Sequence, residues 1–140
     1  MLLRSTLVLA LLATADAGTS TATIEVEIKE LLNKGTLWIT LHNEKDAFPS
    51  KYERAVQRHK VKVTGVPMTF KFEAVAYGEY AISVVHDEND NGQIDRGFLG
   101  IPKEGYGVSN NSTGFGAFSY DAAKFKVDKP LLKQSIIIRR

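Results

Sequence analysis

The sequence predicts an all-β fold: an antiparallel β-sandwich of about seven strands, with immunoglobulin-like or transthyretin-like topology. Three observations carry this prediction. Apolar and polar residues alternate along several short segments, and glycine, proline, asparagine and aspartate mark the connections between them. No convincing amphipathic helix separates the predicted strands. We therefore expect residues 18–140 to form one β-sandwich domain.

The first two predicted strands, residues 23–29 and 36–42, alternate most clearly. Their apolar residues are Ile24, Val26, Ile28, Leu37, Ile39 and Leu41. Because a short turn at residues 33–35 separates the two segments, we predict that they form a hairpin.

Later segments give weaker signals. Strands are predicted at residues 60–64, 68–72, 79–85, 124–127 and 135–139. Residues 79–85 are largely apolar on both faces, which indicates a central position in a sheet. Residues 52–56 are consistent with a short strand or with a single helical turn.

The N-terminus has the layout of a secretory signal peptide. Arg4 precedes an apolar run at residues 7–12, and Ala15-Asp16-Ala17 has the small-x-small pattern of a cleavage site. We predict that residues 1–17 are this signal and that the protein is periplasmic or secreted from a bacterial cell. The apolar run is shorter than the ~20 residues that span a bilayer, so no transmembrane segment is expected after cleavage.

Composition narrows the choice of partners. The formal net charge is only +2, and the sequence has no dense block of lysine and arginine interleaved with aromatics, which argues against nucleic acid as a partner. The chain has no cysteine, so thiolate catalysis and zinc–thiolate sites are excluded. A bacterial periplasm or exterior suits an exported protein without disulfides.

The most informative stretch is residues 87–95, which has the spacing of a loop that curls around a hard cation. Oxygen-bearing side chains occupy every second position, Gly92 allows a sharp turn at a positive φ, and Gln93 would contribute its backbone carbonyl. The predicted metal ligands are Asp87, Asn89, Asn91, Gln93 and Asp95. Oxygen-only ligands favour Ca²⁺.

The loop departs from an EF-hand in two respects. Phe98 stands where an EF-hand has its bidentate glutamate, and the preceding segment is a predicted strand rather than a helix. Glu104 could supply the missing ligand by folding back. Because few charges surround the ion, we expect weak binding, with a dissociation constant of ~0.1–1 mM. The alternative is a polar turn in which these side chains bond their own backbone.

Residues 96–121 form a long segment rich in glycine and aromatic residues. Such a segment could bind a sugar, a peptide or a partner protein, or it could be an ordered loop that covers the open end of the sandwich. The second interpretation is favoured.

The sequence leads to three hypotheses about function. The preferred one is a non-catalytic, exported envelope module with a calcium-binding loop, whose partner would be an envelope protein or a glycan. The second is a carbohydrate- or peptide-binding module that uses residues 96–121. A hydrolase is disfavoured, because no nucleophile-elbow or metallohydrolase motif is present; its candidate residues would be His86, Asp87, Glu104, Tyr106 and Ser109.

The segments from Gly78 to Asp95 and from Leu99 to Asn111 resemble a bacterial exported family catalogued as domain of unknown function 2141. Val108 stands where that family would be expected to have a phenylalanine. The resemblance implies export and a single β domain, and it implies no particular activity.

Overall fold

A computed structural model of the protein describes residues 20–93, 103–114 and 116–140. Among these residues there are eight strands and one short α-helix. The strands are β1 (Thr21–Lys29), β2 (Thr36–His42), β3 (Gln57–Lys62), β4 (Met68–Ala76), β5 (Gly78–Asp87), β6 (Tyr106–Val108), β7 (Phe125–Val127) and β8 (Leu131–Ile137). The helix α1 covers Tyr120–Ala123, and short 3-10 turns cover Tyr52–Arg54 and Ser109–Asn111.

The strands form two sheets, which confirms the predicted all-β sandwich. The first sheet has the order β4-β1-β8, and the second has the order β3-β2-β5-β6, with β7 paired to the beginning of β5. Most pairs are antiparallel, but β8 runs parallel to β1, with Ile24 opposite Leu132. The first sheet is therefore mixed, whereas the described strands of the second sheet are all antiparallel. The central position predicted for residues 79–85 is confirmed, since β5 has neighbours on both sides.

The predicted hairpin between residues 23–29 and 36–42 is wrong. Strand β1 pairs with β4 and β8, whereas β2 pairs with β3 and β5 in the other sheet. The alternation of apolar and polar residues indicates which face of a strand is buried. The same alternation arises whether the strand that follows in sequence pairs with it in one sheet or lies across the core in the other sheet. The turn before β2 therefore carries the chain from one sheet to the other.

The main core lies between the two sheets. It is built by the inward residues of both, of which Ile24, Val26, Ile28, Leu37, Ile39, Leu41, Phe72, Ile82 and Ile136 are fully buried. Burying side chains of this kind contributes about 1.5–3 kcal/mol each, which is the main stabilisation available to a domain without disulfides.

A second, smaller core lies on the outer face of the β2–β5 sheet. Ala81 of β5 points away from the main core and packs with Phe48, Val108, Tyr120 and Ala123. The connection between β2 and β3 and the segment around α1 thus cover this half of the sheet. The described part of residues 96–121 is a cover on a sheet face, whereas the sequence suggested a cover over the end of the sandwich.

None of the helices in the described part of the chain is long and apolar enough to cross a membrane. Residues 1–17, the predicted signal peptide, lie outside the described residues.

Candidate metal centre

The predicted calcium loop begins where β5 ends. Asp87 is the last residue of that strand and lies opposite Thr36 of β2. It is only 2% exposed, which is unusual for an aspartate. A buried carboxylate must be hydrogen-bonded or paired with a cation, so the partners of Asp87 define the local structure.

The Asp87 carboxylate accepts hydrogen bonds from the loop that follows it. The backbone N–H of Gly92 donates to Oδ2 at 2.9 Å, and the backbone N–H of Asn91 donates to Oδ1 at 3.2 Å. The loop therefore closes back on Asp87 within five residues. Gly92 has a φ of +74° and Asp90 has a φ of +53°, so two left-handed residues produce the closure that the sequence predicted at Gly92.

The two predicted asparagine ligands also accept backbone hydrogen bonds. Asn89 Oδ1 accepts from the N–H of Asn91 at 3.3 Å, and Asn91 Oδ1 accepts from the N–H of Gln93 at 2.9 Å. Oxygens of Asp87 and Asn89 thus lie around the same backbone nitrogen. These bonds belong to the self-bonded polar turn that the sequence left open as the alternative.

Asp90 is held by other strands. It accepts a hydrogen bond from the Thr36 hydroxyl at 2.6 Å and forms an ion pair with Lys62 of β3. The hydrogen bond from the Lys62 ammonium, and then the one from Thr36, lower the pKa of the Asp90 carboxyl below its ordinary value. Asp90 therefore ties the loop to β2 and β3.

Glu88 ties the loop to the C-terminus. Its Oε1 accepts a hydrogen bond from Arg140 Nε at 2.7 Å and another from the Gly105 N–H at 3.2 Å. His86 is fully buried beside it, with Nε2 at 2.6 Å from the carbonyl oxygen of Lys34 and Nδ1 at 4.0 Å from Glu88 Oε1. His86 thus packs at the strand end, close to the loop and directed away from its ligands.

The structure brings four of the five predicted ligands into one turn. Asp87, Asn89, Asn91 and Gln93 are connected by the backbone hydrogen bonds given above, whereas Asp95 lies outside the described residues. Glu104 is buried and directly precedes Gly105, whose N–H reaches Glu88. Within residues 20–93, 103–114 and 116–140, no three His, Cys, Asp or Glu side chains form a metal-binding group, so carboxamide and backbone oxygens would have to complete the shell.

The residues weighed for a hydrolase have separate structural contacts. The Ser109 hydroxyl donates to the carbonyl of Ala123 at 2.6 Å and accepts from the N–H of Ile82 at 2.9 Å. His86 Nε2, in contrast, lies against Lys34. We call the described part of residues 103–123 the covering segment. The hydrogen bonds of Ser109 join this segment to β5.

Sequence reasoning missed three residues of this site: Gly35, Thr36 and Lys62. A Cβ at Gly35 would lie 2.2 Å from the carbonyl oxygen of Asp87, so the turn before β2 packs directly on the start of the loop. The positive φ expected of a glycine in an Asn-Lys-Gly turn was a usable signal. The contacts of Thr36 and Lys62 had no signal, because they come from strands that are distant in sequence.

The fold and the loop together define a small all-β module with a polar, oxygen-rich turn at the end of a central strand. A family model described as "Uncharacterized protein conserved in bacteria (DUF2141)" matches residues 26–134. The chain belongs to this family, which confirms the resemblance noted in the sequence. Searches of curated proteins and of solved structures give no significant match.

Proposed function

We propose that this protein is a non-catalytic, exported module of the bacterial envelope and that residues 87–95 bind Ca²⁺ weakly. The observation that carries the proposal is the buried Asp87 carboxylate, which is held in place by the N–H groups of its own loop. A preformed acidic oxygen in a closed turn is the feature that calcium loops share.

The loop has the right oxygens for a hard cation. A carboxylate offers about four lone-pair sites, and among the described residues Asn91 and Gly92 donate one hydrogen bond each to Asp87. Asn89 and Asn91 add carboxamide oxygens within the same turn. The ion would thus bind to a turn that is already folded, with little ordering of these residues.

The charge of the loop sets the expected affinity. Asp90 is paired with Lys62, and Glu88 is paired with Arg140, so neither carboxylate adds a full charge to the shell. Asp87 and Asp95 remain as the charged ligands. A site with two carboxylates belongs to the weak extracellular class, with a dissociation constant of ~0.1–1 mM.

Calcium binding would join the end of β5 to residues 94–102. Because Gly105 and Arg140 also contact Glu88, the ion would act at the point where three segments meet. Its role is therefore to stabilise this corner of the sandwich.

The alternative that residues 96–121 bind a carbohydrate or peptide through their aromatics has less support. Tyr106 and Phe118 pack on each other with ring centroids 4.9 Å apart, and the buried Tyr120 donates its hydroxyl hydrogen bond to the carbonyl of Glu79. These described aromatics pack within the covering segment or against the sheet.

Thermal unfolding tests the proposal. In 10-fold to 100-fold excess over the expected dissociation constant, Ca²⁺ should raise the free energy of unfolding by about 1.4–2.7 kcal/mol. Potassium at matched ionic strength should not. An Asp87→Asn variant should lose most of this gain, because it removes one of two charged ligands.

Asp128→Asn is the matched control, since Asp128 is an exposed aspartate in a different turn. It should retain the full calcium effect. Identical melting curves in calcium and in chelator for the unmodified protein would contradict the proposal.

A further inference from the structure

The outward face of β3 carries a row of cations. Arg58, Lys60 and Lys62 are all exposed and alternate along the strand, so the Cα atoms of neighbouring members are about 6.8 Å apart. Lys60 lies opposite Trp38 of β2 in the register of the two strands. The row therefore borders an aromatic side chain along one side.

Two aromatic rings hold these cations in place. Lys60 Nζ lies 4.0 Å from the centroid of the Trp38 ring, and Arg58 Cζ lies 5.7 Å from the centroid of the Tyr52 ring. The two rings are themselves 5.7 Å apart. Cation–π contacts fix the position of an ammonium or guanidinium group without neutralising its charge, which reduces the entropy lost when an anion binds.

Lys62 pairs with Asp90, but no salt bridge within the described ranges includes Arg58 or Lys60. Arg58 donates a hydrogen bond to the backbone carbonyl of Glu53, at 3.1 Å. The surface therefore keeps an uncompensated positive charge.

The outer face of the other sheet is different. There Glu25 of β1 lies between Lys71 of β4 and Lys133 of β8, directly opposite both in register. Lys29 pairs with Glu27 at 2.9 Å. A carboxylate thus stands between two lysines on that face, whereas the residues opposite Arg58, Lys60 and Lys62 on β2 are Thr40, Trp38 and Thr36.

A shallow groove of about 280 Å³ runs along this surface. It is lined by Thr36, Trp38, Lys60, Lys62, Asp87, Asp90 and Gly92. The groove therefore extends from the cation row to the rim of the loop described above.

We propose that the cationic face, made of Trp38, Tyr52, Arg58, Lys60 and Lys62, binds an acidic polysaccharide whose sugars carry carboxylate groups. Positioned cations in a row match point anions along an extended chain, and charge complementarity selects an anionic partner. This proposal is independent of calcium binding.

Two other polyanions fit less well. Single-stranded nucleic acid binds through bases stacked on aromatic rings, whereas Lys60 already lies over the Trp38 ring. An acidic peptide added to the sheet would pair with the free edge of β3, whereas these cations stand on the face of the sheet, perpendicular to that edge. An acidic sugar chain lying across the face needs neither a bare ring nor the strand edge.

The test is a titration of the full chain with an oligogalacturonate of defined length, in chelator, followed by calorimetry and by tryptophan fluorescence. Trp38 is the only tryptophan in the sequence, so a change in its emission locates the ligand on this face. Binding should weaken steeply between about 0.02 M and about 0.3 M sodium chloride, because exposed charges are screened.

A double variant, Arg58→Gln with Lys60→Gln, should weaken binding by about two- to thirtyfold, as expected for two lost exposed charge pairs. The matched control, Lys71→Gln with Lys133→Gln, removes the same charge from the other face and should change the affinity less than about twofold. The charge-preserving pair Arg58→Lys with Lys60→Arg should retain binding, which separates loss of charge from loss of folding.

Equal weakening by the two neutralising pairs would overturn the proposal, because it would mean that net charge alone matters. Absence of binding by the unmodified chain would overturn it too. So would tighter binding of oligothymidylate, of polyglutamate or of a neutral oligosaccharide than of the oligogalacturonate.

Discussion

Gly35 determines how closely the connection between β1 and β2 approaches residues 87–93, the described part of the predicted calcium loop. Its φ is +76°, and a Cβ there would lie 2.2 Å from the carbonyl oxygen of Asp87 and 3.0 Å from the Cα of Glu88. Both obstacles are backbone atoms, so no side-chain rotation can relieve the clash. The first ligand of the loop is thus positioned partly by a residue 52 positions earlier in the sequence.

Replacing Gly35 with alanine should lower the free energy of unfolding by about 2–5 kcal/mol, since a left-handed alanine costs roughly 1–2 kcal/mol and overpacking costs about 1–3 kcal/mol. Urea denaturation measures this loss. Gly65→Ala is the control, because nothing lies within 4 Å of a Cβ at Gly65 and its φ is not positive. Similar stabilities for the two variants would show that the close approach at Gly35 does not occur.

His42 is the residue whose protonation the fold opposes most clearly. It is fully buried, its ring lies edge-on to Phe48 with centroids 5.6 Å apart, and Nε2 lies 3.2 Å from the Thr40 hydroxyl. Burial lowers the pKa of His42 below 6.5, and the nearby Glu44 only partly offsets this. The native state therefore keeps the imidazole neutral where an unfolded chain would protonate it.

We expect stability to fall as the pH drops below about 6.5, the unfolded pKa of histidine, and to level off below the folded pKa of His42. Between these two values the unfolded chain binds the extra proton, so acid favours unfolding. Melting temperatures between pH 7.5 and pH 4.5 measure the effect, and a His42→Gln variant should flatten this part of the curve. His59→Gln should leave the dependence in place, since it retains His42.

The aspartate carboxylates affect stability in a separate, lower pH range. Hydrogen bonds from lysine side chains lower the pKa of Asp90 and of Asp121 below 3.8, so their contribution to stability is lost only as the pH falls through those lower values. A decline confined to that range, with none between pH 6.5 and pH 4.5, would contradict the account of His42.

Among the elements, the covering segment contacts the edge of β8 through the side chain of Asn111, which takes the place of a neighbouring strand. Asn111 Nδ2 donates to the carbonyl of Ser135, and Asn111 Oδ1 accepts from the N–H of Ile137, both at 2.8 Å. Asn111 itself has a φ of +51°, a conformation that asparagine tolerates better than most residues. The side chain therefore satisfies one donor and one acceptor on the edge of β8.

Asn111→Ala should cost about 2–3 kcal/mol, because it leaves two strand groups without partners and keeps an alanine at positive φ. Asn111→Gly loses the same bonds without the backbone cost, so it should be about 1 kcal/mol more stable than the alanine variant. Chemical denaturation measures both. Asn33→Ala, at an exposed position, should change stability by less than about 0.5 kcal/mol, and an equally small change at Asn111 would show that it does not hold the segment.

The strands with strict alternation were predictable from the sequence. The bounds predicted for residues 36–42 are those of β2, and the two apolar faces of residues 79–85 correctly placed β5 in the middle of a sheet. Pairing was not predictable, as the erroneous hairpin shows, because alternation does not identify a strand's neighbour. Strand β6 was missed because it is only three residues long and includes a glycine.

The loop shows the same difference between local features, which were predictable, and contacts between strands, which were not. The positive φ of Gly92 and the inward oxygens of Asp87, Asn89 and Asn91 follow from local spacing. The ion pair that holds Asp90 joins residues 28 positions apart, and only the strand register brings them together. Local chemistry could therefore be deduced, whereas contacts between strands could not.

The molecule as a whole has two unlike outer faces. One carries alternating charges on β1, β4 and β8, while the other is half covered by residues around α1 and half occupied by the cationic face. Asp87, Asp90 and Gly92 line the end of the groove on this second face. The two proposals therefore concern neighbouring surfaces, and chelator separates them experimentally.

The most direct test of the calcium proposal is a calorimetric titration of the full chain with Ca²⁺, alongside the Asp87→Asn and Asp128→Asn variants. We predict one saturable site with a dissociation constant of ~0.1–1 mM, weakened at least about tenfold by Asp87→Asn and unchanged by Asp128→Asn. No saturable binding up to about 10 mM Ca²⁺, or equal binding by the Asp87→Asn variant, would contradict the account and leave residues 87–95 as a self-bonded polar turn.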